Sequence, residues 1–319
     1  MNIHTIVLAA GEGSRMKSSK AKSLQRIGGK TMLEMICQTA GSISQKITLV
    51  VGYDKKSIIK ASKALNLDIN SCEQPEPIGT GDAVKHGISK VIDASKVLVL
   101  YGDVPLIKKE TLSNLINGCD NSLSILTTVL ENPFGYGRVK KDKSGNPVAI
   151  VEEKDASDEE KEIKEIFTGV LCSTTTYLKE ALSELSCDNT AGEFYLTDIV
   201  SIMSNRGITI NTCNASNEEV RGANSKEELA QLEAIYRSMK VQDILEMGIT
   251  VSDPLRLDIR GNVSSGQDCS IDVNVILEGN IVLGNNVSIG PNCVIKNSSI
   301  GSNTRIEAFT HIDLSLKHI

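Results

Sequence analysis

From Ile271 onward an apolar residue recurs every six positions: Ile271, Leu277, Leu283, Ile289 and Ile295. One residue is then dropped, and the period resumes at Ile300, Ile306 and Ile312. Each of these is followed by a small or charged residue: Asp272, Glu278, Gly284, Gly290, Lys296, Gly301, Glu307 and Asp313. A third column stands four positions on, at Val275, Ile281, Val287, Cys293, Ser299, Thr304 and Thr310. An ordinary meander would show no such coupling. A hexapeptide period is the mark of a parallel β-helix, in which successive rungs stack aliphatic ladders on the inside. The tail is therefore expected to be a short left-handed parallel β-helix.

The residues before it read differently. Ile6–Ala10, Ile47–Gly52 and Val97–Tyr101 are short apolar runs of the kind that form buried parallel strands. Helical patterns at Met32–Ala40 and Lys55–Leu65 alternate with them. The alternation predicts an α/β domain with a mostly parallel, Rossmann-like sheet, whose ligands bind outside the carboxyl ends of its strands. At Ser225–Glu228 a capping box opens a helix carrying Leu229, Leu232, Tyr236, Met239 and Ile244, with Gly248 as its stop. The expected division is a catalytic domain over 1–224, a connector helix over 225–248 and an incomplete β-helix over 249–319.

Composition narrows the function. The chain of 319 residues carries 34 Lys and Arg against 40 Asp and Glu, a net charge of −6, with no Trp and few other aromatics. Nothing there suits a polyanion or a stacked single strand, so nucleic acid is not an expected partner. No apolar run reaches the roughly 18–20 residues of a membrane span. Eight scattered cysteines without a Cys-x-x-Cys pair fit reduced thiols in the cytoplasm.

The strongest local signal is Leu8-Ala9-Ala10-Gly11-Glu12-Gly13-Ser14-Arg15-Met16. A strand feeds a Gly-rich turn whose backbone N–H groups can approach phosphate oxygens, and Arg15 and Lys22 add positive charge. Met16 stands where a dinucleotide fingerprint needs its third glycine. Gly29-Lys30-Thr31 imitates the end of a P-loop, but Leu24 occupies the place of the required glycine.

The ordered set Leu8–Met16, Lys22, Gly28–Leu33, Gln74, Gly79-Thr80-Gly81, Tyr101-Gly102-Asp103-Val104-Pro105, Gly135–Arg138, Ile150-Val151-Glu152, Gly192–Asp198 and Gly222-Ala223-Asn224 spans the chain. Together with the hexapeptide tail, it closely resembles the bacterial bifunctional N-acetylglucosamine-1-phosphate uridyltransferase/glucosamine-1-phosphate N-acetyltransferase family. The resemblance implies that UMP passes from UTP to N-acetylglucosamine 1-phosphate, giving UDP-N-acetylglucosamine and pyrophosphate with Mg²⁺ as cofactor. It implies Arg15 and Lys22 as the catalytic cations, and Asp103 and Asn224 as the metal ligands. Leu8, Ala9, Ala10, Gly11, Gly13, Lys22, Gln74, Gly79, Thr80, Tyr101, Gly102, Asp103 and Asn224 would bind substrate, with Gln74, Gly79 and Thr80 reading uracil and Gly102 contacting the nucleotide. The sugar would be held by Gly137, Glu152 and Thr168, and Phe167 stands at a further substrate-binding position.

The chain departs from the family pattern at Ala21 (proline), Ser14 (threonine), Gln25 and Asp82 (histidine) and Phe167 (asparagine). Phenylalanine supplies no amide hydrogen bonds, which bears on sugar affinity and selectivity. The resemblance further implies a homotrimer built through the β-helix, and an acetyl-CoA-dependent second activity whose residues lie in later coils. Because this sequence stops at His318-Ile319, it is expected to be a truncated form or fragment without acetyl transfer. Two alternatives stay open at this point: transfer to another sugar 1-phosphate, or a non-catalytic scaffold that binds nucleotide sugars.

Overall fold

The apolar runs pair side by side. The computed structural model, which describes residues 2–92 and 94–314, divides the chain into two compact units. The first comprises residues 1–25 and 31–226. Its strands are β1 (Ile3–Ala9), β2 (Lys46–Val51), β3 (Ile69–Glu73), β4 (Lys96–Tyr101), β5 (Leu123–Val129), β6 (Arg138–Lys141), β7 (Pro147–Val151), β8 (Glu165–Thr174) and β9 (Ile210–Asn214). Their order is β9-β5-β8-β4-β1-β2-β3, with β6 and β7 added at β8. The pairs β1–β2, β1–β4, β2–β3 and β5–β9 are parallel, whereas β8 runs antiparallel to β4 and β5.

Successive residues of the central strands face two separate cores. Ile6, Leu8, Val97 and Val99 belong to one apolar cluster, and Val7, Ala9, Leu98 and Leu100 to the other. Burial on both faces accounts for the continuous apolar runs. The sheet is thus the mostly parallel Rossmann-like one read from the sequence, with two antiparallel strands, β7 and β8, that the alternation did not reveal. No helix among the described residues is long and apolar enough to cross a membrane.

The second unit comprises residues 26–30 and 227–319. The helix Lys226–Glu246 buries Leu232, Tyr236, Val241 and Ile244, while Leu229 and Met239 stay partly exposed. It ends before Gly248, whose φ of 87° is the left-handed conformation a helix stop needs. The backbone of Gly28 lies under the Tyr236 ring, where a Cβ would come within 2.0 Å of a ring carbon.

The repeats form a short β-helix of parallel rungs. Leu257–Ser265 pairs with Val275–Leu283, so each coil is three hexads long. Ile271, Leu277, Leu283, Ile289, Ile295, Ile300 and Ile306 are all buried, and Ile312 packs against them. The ladder begins earlier than the period suggests, since Ile259 and Ser265 pair with Leu277 and Leu283.

One column member needs correction. The missing residue falls in the turn at Asn297, so Ser298 rather than Ser299 points inward, at 3% exposure. Asparagines in the left-handed conformation turn the corners and bond to one another. Asn274 donates to Asn292 at 2.9 Å and Asn286 to Asn303 at 3.1 Å. His318 and Ile319, on which the expectation of a truncated chain rests, lie outside the described residues.

Candidate active site

Strands β1 and β4 lie in register, with Leu8 opposite Tyr101. Their carboxyl ends therefore release two loops side by side. Between them opens a cleft of about 400 Å³, lined by Leu8, Ala9, Ala10, Gly11, Lys22, Gln74, Gly79, Thr80, Tyr101, Gly102, Asp103 and Asn224, all expected from the sequence. Ser23, Pro77, Ala83 and Glu193 also line it and were not expected.

The glycines have separate duties. Gly102 donates its N–H to the Leu8 carbonyl at 2.9 Å, closing the two loops together. Gly13 adopts φ 65°, and a Cβ there would lie 2.8 Å from that of Lys22. The turn is therefore folded tightly around the lysine stem.

At the centre, Lys22 Nζ donates to Asp103 Oδ2 at 2.5 Å and to Asn224 Oδ1 at 2.9 Å. The three residues come from segments 81 and 202 positions apart. Asp103 and Lys22 are mostly buried, with side-chain exposures of 15% and 20%. Two hard oxygen donors thus converge on one cation. This is the donor set Mg²⁺ prefers, one or two protein oxygens with phosphates and water completing the shell. Among the described residues no cluster of three or more His, Cys, Asp or Glu forms a metal cage.

The segment carrying Asn224 is anchored by a residue the sequence reading passed over. Glu219 is 7% exposed and accepts from the Lys108 N–H at 3.3 Å and the Thr111 hydroxyl at 2.5 Å. It thereby ties residues 216–224 to the start of the helix Lys109–Asn117, whose N-cap Lys108 is five residues beyond Asp103. Gly222 sits on Asp103, where a Cβ would be 3.3 Å from its carbonyl oxygen and 3.5 Å from its carboxylate. Gln25 is a second tie. It accepts from Lys226 at 2.5 Å and donates to Ser18 at 3.1 Å.

The residues expected to hold the sugar gather elsewhere. Glu152 accepts from the Thr197 hydroxyl at 2.9 Å. Burial, and next the charges of Asp198, Asp155 and Glu193, push its carboxyl above the usual range, against the pull of the Thr197 bond. Gly137 backs it, with the Glu152 carboxylate 3.7 Å from where a Cβ would be. Tyr101 joins the two groups. Its buried phenol is pushed up chiefly by desolvation, opposed by a bond to Thr80, and it feels the fields of both Glu152 and Asp103.

Thr168 lies in a bulge of β8 between Phe167 and Leu171, and its hydroxyl donates to the Leu126 carbonyl at 2.9 Å. The Phe167 side chain is 5% exposed and belongs to the apolar cluster of Val139, Ile150 and Leu196, so it does not line the cleft. Arg15 is exposed on the turn Ser14–Met16, whose Met16 is buried, and stands outside the cleft wall. Thr197 could have been found from the Gly192–Asp198 motif, but Glu219 carries no local signal.

Known proteins show the same organisation. Residues 5–161 match the MobA-like NTP transferase domain, and residues 266–297 match the bacterial transferase hexapeptide family of six repeats. The bifunctional protein GlmU of Neisseria meningitidis serogroup A is 44% identical over 98% of this chain and 68% of its own length. The chain belongs to the GlmU family. GlmU of Dechloromonas aromatica is 41% identical over 98% of the chain and 69% of its length, and that of a Psychrobacter species is 43% identical over 86% and 60%. The chain thus spans about two thirds of the length of these GlmU relatives.

Two solved structures share the fold at lower identity. One is a putative glucose-1-phosphate thymidylyltransferase from Bacillus anthracis, with a TM-score of 0.59 and 17% identity over 73% of this chain and 94% of its own. The other is a nucleotidyl transferase from Methanothermobacter, with a TM-score of 0.53 and 18% identity over 74% and 99%. Membership in the GlmU family makes this chain a nucleotidyltransferase, as its motifs implied. GlmU-type nucleotidyltransferases are generally Mg²⁺-dependent.

Proposed function

We propose that the cleft transfers UMP from UTP to N-acetylglucosamine 1-phosphate, forming UDP-N-acetylglucosamine, a precursor for cell-wall polymers, and pyrophosphate. The single observation that carries this reading is the convergence of Lys22, Asp103 and Asn224 beside the Gly-rich loop. A phosphate oxygen of the sugar phosphate forms a bond to the α-phosphorus as the bond from that phosphorus to the bridging oxygen breaks. The electron pair leaves on pyrophosphate, and no proton need move. Such chemistry asks the protein chiefly for positioning and charge.

In this reading Gly11 and Gly13 offer backbone N–H groups to the phosphates, and Lys22 and Arg15 neutralise charge on the α-phosphate and the leaving group. Gln74, Gly79 and Thr80 hold uracil; Tyr101 and Gly102 form the floor. Glu152, with Gly137 and Thr168, holds the sugar hydroxyls and acetamide. Asp103 and Asn224 are the residues to hold Mg²⁺. When bound, that ion would neutralise phosphate oxygens and orient them. The reading carries a homotrimer through the repeats, which sedimentation equilibrium tests.

The test of function is pyrophosphate release from UTP with N-acetylglucosamine 1-phosphate and Mg²⁺. The wild-type chain is expected to release it, and Asp103→Ala to fall by at least about a hundredfold. Release only with a different hexose 1-phosphate would replace the substrate. No release with any sugar phosphate would overturn the reading.

A further inference from the structure

Gln74 stands at the cleft wall with 6% exposure, and both hydrogens of its amide are committed. Its Nε2 donates to the Gly79 carbonyl at 3.0 Å and to Asp82 Oδ2 at 2.9 Å. A carbonyl and a carboxylate can only accept, so the group between them is the NH₂. The amide oxygen is thereby turned away from both, and among the described residues it has no hydrogen-bond partner. Asp82 itself does not line the cleft. It sits in the first turn of the helix Thr80–Ile88 with 15% side-chain exposure, its Oδ2 also 3.6 Å from His86 Nε2.

We infer that Asp82 is a positioning residue that sets base selectivity: it locks Gln74 so that only an acceptor faces the base. This rests on reading the cleft as a nucleoside triphosphate site. Uracil presents N3–H, a donor, between two carbonyl acceptors. Cytosine presents a bare N3, an acceptor, beside an amino group. A fixed Oε1 accepts from the uracil N3–H and meets the cytosine N3 lone pair to lone pair. The N–H of Thr80, in the first turn of the helix, has no intrahelical partner and suits a uracil carbonyl. An amide free to turn over would offer its NH₂ to cytosine instead. Two acceptors hold it against that inversion, and the charged one is the stronger.

The experiment measures kcat and KM for UTP and CTP, and KM for the sugar 1-phosphate, in wild type, Asp82→Ala and Asp82→Asn. Wild type is expected to favour UTP by at least about a hundredfold in kcat/KM. Asp82→Ala is expected to raise KM for UTP and to cut the UTP-to-CTP ratio about tenfold, with kcat and the sugar KM unchanged. Asp82→Asn keeps an oxygen that can accept from Gln74 and should recover most of the ratio. A folded Asp82→Ala with the wild-type ratio would overturn the assignment, as would a sugar KM that rises in step. Should Asp82→Ala fail to fold, Asp82→Ser takes its place with the same expectations. Preference of the wild type for CTP would overturn the uracil reading itself before any variant is compared.

Discussion

Glu219 offers the sharpest test of how the site is held together. Its carboxylate accepts from the backbone N–H of Lys108 and the hydroxyl of Thr111, and its other oxygen lies 3.8 Å from Lys108 Nζ. Glu219→Ala removes the one oxygen that accepts from both donors. A buried donor left unpaired costs about 1–3 kcal/mol, but Lys108 is exposed, and water reaches part of what is freed. The expected loss is therefore about 1–3 kcal/mol in total rather than for each group. In a unit of this size that lowers the melting temperature by about 3–10 °C.

The same contact fixes the segment that ends in Asn224, so the loss should reach the metal as well. Half-activation by Mg²⁺ is expected to need about tenfold more metal, the scale of an outer-sphere defect. Mn²⁺ binding in the presence of UTP, followed by electron paramagnetic resonance, should weaken to match. Glu219→Gln retains one acceptor oxygen and should fall between the two in both measurements. A folded Glu219→Ala with wild-type stability and wild-type metal binding would refute the reasoning.

Three further outcomes follow from the geometry. Lys22→Met should lower kcat/KM for UTP by about 10²–10³ in a pyrophosphate-release assay, because its ammonium is the cation at the centre of the cleft. Glu152→Gln should lower kcat/KM for the sugar phosphate about 10–100-fold, yet raise stability at neutral pH. The Glu152 carboxyl is raised by burial and acidic neighbours above 4.5, so the native state binds the proton more tightly than the unfolded chain. Its contribution thus declines as pH rises from 4.5 through the native value, and melting curves of the variant should lack that decline. In the repeats, Gly261→Ala would bring a Cβ within 2.1 Å of the Gly279 carbonyl oxygen, at a φ of 156°. A destabilisation of about 2–3 kcal/mol should appear as faster hydrogen exchange across Val275–Leu283.

Much of this was legible in the chain because it is local or periodic. The hexad columns follow from a coil that repeats every eighteen residues, and the apolar runs follow from strands buried on both faces. The Gly-rich turn announces itself because backbone approach to an anion needs glycine. What escaped is of two kinds. Register slips are one: dropping a single turn residue moves the inward position from Ser299 to Ser298, which a fixed period cannot foresee. Contacts set by tertiary closure are the other. Glu219 and Thr111 lie 108 positions apart, and nothing around either hints at the pairing. Phe167 belongs with the second kind. The resemblance implies a substrate contact at this position, and the Phe167 N–H does reach the Gly137 carbonyl at 2.9 Å, but the ring lies in the apolar core.

The central triad separates these two kinds of information. Lys22 and Asp103 follow neighbouring parallel strands whose ends are in register, so topology alone brings their loops together. The tight turn at Gly13, folded on the Lys22 stem, then brings the lysine to Asp103. Asn224 has no such guarantee, since it arrives from a segment 202 positions away from Lys22. Its position depends on Gly222 resting against Asp103 and on Glu219 bonding the helix that follows Asp103. The second oxygen of the cation site is therefore located by contacts to the first oxygen's own loop. The two donors are thus tied to one loop, and a change that loosens the 216–224 segment is expected to weaken cation binding more than it disturbs the Gly-rich turn.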